Sequence, residues 1–109
     1  MKMMNKAQMV VFTGLMAFVY TSYAGEFEVL QKDKKFSQSG LTVKVGDSVN
    51  FKNEDPFFHN VFSLSDVKTF DLGSFPQGQS KKVIFDKPGT VEVECAIHPS
   101  MKINIEVRK

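Results

Sequence analysis

The sequence has no tryptophan and only one cysteine, Cys95, among its 109 residues. Both tyrosines, Tyr20 and Tyr23, fall within the first 24 residues, as do the methionines at positions 1, 3, 4, 9 and 16, so Met101 is the single methionine beyond them. Each scarcity excludes something. A lone thiol closes no internal disulfide, so the fold is not a cystine-stapled scaffold. No apolar run after residue 24 approaches the roughly 20 residues that a membrane span needs, and the folded part is expected to be soluble. No helical period appears there either, which argues against a bundle. Charge of neither sign dominates. Beyond Ala24 there are twelve basic and twelve acidic residues, a balance that gives no reason to expect nucleic acid as a partner.

What is present begins with a leader. Lys2 and Lys6 make a positive start without an acidic residue, an apolar run follows from Met9 to Tyr20, and Ser22-Tyr23-Ala24 puts small residues at the two positions a signal peptidase reads. Residues 1–24 are expected to be a secretory signal peptide cleaved before Gly25. The alternative, an uncleaved anchor, suffers from the shortness of the run. Residues 25–109 then form one small domain with a modest core and no internal repeat or linker.

Within that domain apolar residues alternate with polar ones in short stretches. Phe27 and Val29 are one such set; Leu41, Val43 and Val45 a second; Val49 and Phe51 a third. Val83 and Phe85, then Val91, Val93 and Cys95, then Ile103, Ile105 and Val107 continue the pattern. Period two with turn residues between the stretches predicts an all-β antiparallel sandwich or barrel. Gly46-Asp47 reads as a two-residue hairpin turn. Pro88-Gly89 suits the centre of a type II turn, and Pro76-Gln77-Gly78 a tight turn with proline second and glycine fourth. Ser65 to Gln79 is the least regular part.

The C-terminal end carries the chemistry. It reads Cys95-Ala96-Ile97-His98-Pro99-Ser100-Met101. Cys95 continues the inward parity of Val91 and Val93, and Met101 begins that of Ile103, Ile105 and Val107. Both therefore point to the core end of adjacent strands, with His98 on the arch between them, stiffened by Pro99. His59 stands far upstream at a loop-to-strand junction. Singly, each residue has an ordinary explanation: a lone methionine packs a core, a lone cysteine is a small hydrophobe, a lone histidine is a satisfied polar group. Jointly, the one Cys, one Met and two His that remain after the leader are all in this constellation. Two imidazoles, a thiolate and a weak axial thioether are the ligand set of a blue-copper site. His59, Cys95, His98 and Met101 are thus the expected ligands of a single copper ion.

These residues resemble a family. Phe36, the run Leu41 to Asn53, His59-Asn60-Val61 and the Cys-His-Met loop occur in the order used by cupredoxins, and the resemblance covers nearly all of residues 25–109. The short loop with proline after its histidine is similar to amicyanin, whereas plastocyanins and pseudoazurins have a longer gap. The resemblance implies a Greek-key β-sandwich. It implies that Asn60 ties the His59 strand to the ligand loop, and that His98 is the edge where electrons pass, ringed by Pro56, Phe57, Ile97 and Pro99. The N-terminus is short beside amicyanins, and the plastocyanin docking region with its tyrosine has no counterpart here.

The expected function is that of a periplasmic one-electron carrier rather than an enzyme. It would act as a monomer, meeting redox protein partners near His98, with no membrane anchor after cleavage. A copper-binding or copper-delivery protein is the alternative; it fits less well because delivery proteins expose several spare ligands. A metal-free interaction module is the third reading. His98, on a short arch, is also expected to protonate and leave copper in the reduced state.

Overall fold

The computed structural model describes residues 24–109, so the leader's residues 1–23 lie outside the described part. Nine strands run through the described residues: β1 (Glu26–Lys32), β2 (Lys35–Phe36), β3 (Gly40–Lys44), β4 (Ser48–Asn53), β5 (His59–Ser63), β6 (Phe70–Phe75), β7 (Ser80–Ile84), β8 (Gly89–Glu94) and β9 (Lys102–Arg108). They form two sheets, of order β2-β1-β4-β7 and β3-β9-β8-β5-β6. The all-β sandwich expected from period two is what forms. Val29, Val49, Phe51, Val61, Phe75 and Phe85 meet Val91, Val93, Ile103 and Ile105 in its core, all but fully buried.

Strand direction departs from expectation. β1 pairs with β4 in parallel, as does β3 with β9, so both sheets are mixed rather than antiparallel. Alternation reports which face is buried and says nothing about direction. The turn at Gly46-Asp47 differs for a related reason. β3 and β4 lie in different sheets, so the turn is a corner between layers and not a hairpin. Gly46 takes φ +97 there, and Asp47 N donates to Lys44 O at 2.9 Å. Val45, on the corner, points outward and is exposed.

Two other turns are corrected. Gln79 N donates to Pro76 O, so proline is first and Gly78, at φ +88, is third. Gly89 opens β8 at φ +137 as the chain changes sheets, instead of centring a hydrogen-bonded turn. The irregular region also holds a strand. β6 slips register against β5 between Asn60 and Phe62, leaving Leu72 and Gly73 opposite Val61 as a bulge. Gly73 supplies the φ of +73 that the bulge needs.

One end of the sandwich gathers the C-terminal loop with the end of β8, the start of β9, the start of β5 and the β1–β2 turn. The opposite end holds Gly25, the Gly46-Asp47 corner and the end of β9.

Candidate metal centre

Each ligand-type residue sits where strand parity and a loop coincide. Cys95 follows β8 directly and is 1% exposed; Met101 precedes β9 and is also 1% exposed; His59 opens β5 at 0%. The arch between Cys95 and Met101 closes on a hydrogen bond from Met101 N to His98 O at 2.9 Å, with His98 half-buried on it.

Three ligand atoms converge. His59 Nδ1 and His98 Nδ1 are 3.2 Å apart, and Cys95 Sγ lies 3.7 Å from the first and 3.9 Å from the second. A point equidistant from the three lies about 2.1 Å from each, within the range of bonds from transition metals to imidazole nitrogen and thiolate sulfur. Two imidazole nitrogens and a sulfur facing one another at this spacing, buried and aimed at a common centre, fit a single ion of borderline softness. With the thioether of Met101 beside them the donor set is that of type 1 copper, and the residues fit one copper ion.

The ring of His59 is fixed from behind. Its Nε2 donates to Asp55 Oδ2 at 2.6 Å, both side chains being buried. That hydrogen bond places the proton on Nε2 and leaves the Nδ1 lone pair facing the centre. Sequence reasoning missed Asp55. The same carboxylate accepts from Asp33 N at 2.7 Å and Lys34 N at 3.0 Å. Asp33 and Lys34 are the two central residues of the β1–β2 hairpin, at φ 55 and 60, the left-handed conformation a type I′ turn requires and a lysine adopts reluctantly. Asp55 thus ties a strained turn to a ligand. Burial pushes its carboxyl up, but hydrogen bonds from His59, Lys34 and Asp33 outweigh burial and hold it below the usual carboxylate range. Asn53 braces the loop in turn: its Oδ1 accepts from Asp55 N, and its Nδ2 donates to Phe57 O and Phe75 O.

Asn60 does what the resemblance implied. Its Oδ1 accepts from Ala96 N at 2.7 Å and lies 3.4 Å from Cys95 Sγ, joining β5 to the ligand loop. The ring of Phe57 lies 5.3 Å from that of His59 and 5.5 Å from that of His98. Burial, and then the neighbouring His59 imidazole and the positive charge of Lys34, push the His98 pKa below its ordinary value, against the opposing pull of Asp55. Phe57 and Ile97 are 37% and 50% exposed around this half-buried histidine, and Pro56 and Pro99 are exposed with them. Phe58, 55% exposed, extends this loop's apolar surface and was not foreseen.

A fold of two mixed sheets with a buried cysteine sulfur, two imidazoles and a thioether at one end defines a class of single-copper β-sandwich. The model of copper binding proteins of the plastocyanin/azurin family matches residues 23–108, and the chain belongs to that family. It is 32% identical over 111 residues to the methylamine utilization protein MauL of Methylorubrum extorquens, covering 96% of this chain and 97% of that one. Amicyanin-alpha of the same organism is 30% identical over 97 residues, covering 86% and 82%. Among solved structures, an amicyanin variant in its reduced Cu(I) form at pH 4 superposes with a TM-score of 0.71 at 27% identity, covering 84% of this chain and 88% of that one.

Proposed function

We propose that this chain is an exported one-electron carrier in which His59 Nδ1, His98 Nδ1, Cys95 Sγ and the thioether of Met101 would hold one copper ion. Bound copper supplies the Cu(I)/Cu(II) couple. The observation that carries the reading is the triangle of His59, His98 and Cys95 ligand atoms, all within 4.8 Å of one another, already assembled by the chain. Asp55 holds one imidazole in its tautomer, Asn60 holds the thiolate loop, and β8 and β9 hold its two ends. A frame so braced changes little between oxidation states, which favours fast electron exchange.

His98 is the ligand nearest solvent, and the exposed Phe57 and Ile97 beside it suit the small, brief contacts of redox encounters. Donor and acceptor proteins would dock there, with this chain acting as a monomer. The burial of Cys95, His59 and Met101 argues against hand-over of the metal, and so against copper delivery. Residues 1–24 would be the leader that takes the chain to the periplasm. The names of the two relatives make methylamine oxidation the first pathway in which to seek partners.

Cyclic voltammetry of copper-loaded residues 25–109 tests the carrier role. A reversible one-electron wave is expected. Tight copper binding without such a wave would move the protein to metal storage or delivery.

A further inference from the structure

The end of the sandwich away from the ligands holds a second polar assembly, centred on Gly25. Gly25 N donates to Asp47 Oδ1 at 2.6 Å, and Gly25 O accepts from Ser48 N at 3.0 Å. A Cβ at this position would lie 3.2 Å from the Phe27 ring and 3.3 Å from Asp47 Oδ1, so a larger residue would have to push its neighbours aside. Asp47 is buried, and the corner turn fixes it. Its Oδ2 accepts from Lys44 N at 2.8 Å, while its own backbone donates to Lys44 O and accepts from Phe85 N. One carboxylate oxygen is thus used by the turn and the other is presented to residue 25. Hydrogen bonds from Lys44 N and Gly25 N hold the Asp47 carboxyl below its usual range.

The charged surroundings are few. Lys44, Arg108 and Lys109 line the same recess as Asp47, beside Phe27 and Thr42. Arg108 is turned to Glu106 at 3.4 Å, and Glu26 follows Gly25 in the chain. Asp47 is the carboxylate in contact with Gly25 N.

We propose that Gly25 is the first residue of the processed protein and that cleavage turns its hydrogen bond to Asp47 into a partly buried ion pair that locks the copper-distal end. In the cut, water adds across the Ala24–Gly25 peptide bond under a leader peptidase; Ala24 leaves as a carboxylate and Gly25 gains an α-ammonium. The proposal rests on the leader reading. Sequence supports the same cut independently, through Ser22 and Ala24. The α-ammonium loses water and gains an anion, and the charge-assisted bond outweighs the neutral one it replaces. Its pKa should therefore rise above the ordinary value of about 7.7–8.0 for an α-amine. The sign follows: a raised folded pKa adds stability that is complete below the ordinary value and is lost as pH rises through the folded one.

The test has two stages. The intact mass of the protein exported from cells expressing the whole chain should begin at Gly25; any other first residue overturns the cut. The protein beginning at Gly25 is then compared with its Nα-acetylated form by urea denaturation across pH, and Gly25 is titrated by NMR. We expect Gly25 to titrate at least about one unit above the ordinary α-amine range. The free amine should be the more stable form below about pH 8, by a margin that declines above that value and is lost as pH rises through the folded pKa of Gly25, and Asp47→Asn should abolish the margin. Titration at the ordinary value, or a margin independent of pH, would refute the ion pair even with the cut confirmed. Acetylation leaves every side chain intact, so the comparison stands if Asp47→Asn fails to fold. Copper enters neither stage, so failure here is separate from failure of the metal site.

Discussion

The residues that would hold copper are supported by residues that would not touch it, and Asp55 is the chief of these. Asp55→Ala removes the acceptor of His59 Nε2 and of two backbone N–H groups in a left-handed turn. His59 Nε2 is the buried donor among them, and left unpaired it costs about 1–3 kcal/mol, while the N–H groups of the exposed Asp33 and Lys34 lose their carboxylate but can turn to water. Urea denaturation of the metal-free variant should show a loss of roughly 2–4 kcal/mol, and Cu(II) affinity should fall by roughly 10–100-fold. Unchanged affinity would mean that Asp55 serves the turn alone. His98 offers a second check. Burial depresses its pKa in the metal-free protein, so its neutral form adds stability that is present above the ordinary value and lost as pH falls through the folded one. Proton NMR of the metal-free protein should find His98 titrating below 6.5; titration at or above that value would contradict the packing described.

The four proposed ligands stand out in the sequence because nothing competes with them: once residues 1–24 are set aside, no other Cys, Met or His remains. Asp55 was not legible. It lies in the loop between β4 and β5, where no strand parity says which way a side chain points, and it is one of twelve acidic residues beyond the leader. Only the fold brings the β1–β2 turn and His59 to the same carboxylate.

Elements were readable where alternation was unbroken. β9, with Ile103, Ile105 and Val107 inward, is the clearest case. β6 was missed for a physical reason. Phe70 and Leu72 set one parity, and the bulge at Gly73 shifts phase so that Phe75 is the residue buried. β2, two residues long, carries no period at all. The corners were misread because a tight turn looks the same in sequence whether it joins strands of one sheet or of two. At one of them glycine is obligatory. Gly89 takes φ +137, and a Cβ there would come 2.6 Å from Val67 Cγ2. Gly89→Ala should cost about 2–3 kcal/mol, from backbone strain and overpacking together. A change below about 0.5 kcal/mol in urea denaturation would mean that this corner relaxes freely.

At the scale of the whole molecule the sandwich separates two tasks. One end frames the ligands; the other is tied by Asp47. Asp47 and Asp55 both titrate below the usual carboxylate range, so each adds stability that is present above about pH 3.9 and is lost as pH falls through its folded value. The metal-free protein should therefore lose stability progressively below about pH 4. Asp47→Asn should flatten part of that acid limb while leaving the copper spectrum intact. An acid limb unaltered by Asp47→Asn would show that the corner contributes nothing to it.

His59, Cys95, His98 and Met101 are proposed to form one type 1 copper site. Titration of residues 25–109 with Cu(II), followed by visible absorption, tests it most directly. The segment contains no Trp or Tyr, so its own near-ultraviolet background is low. One equivalent should produce an intense thiolate-to-copper band that Cys95→Ser abolishes. A colourless or pale product, or a band that survives Cys95→Ser, would contradict the account.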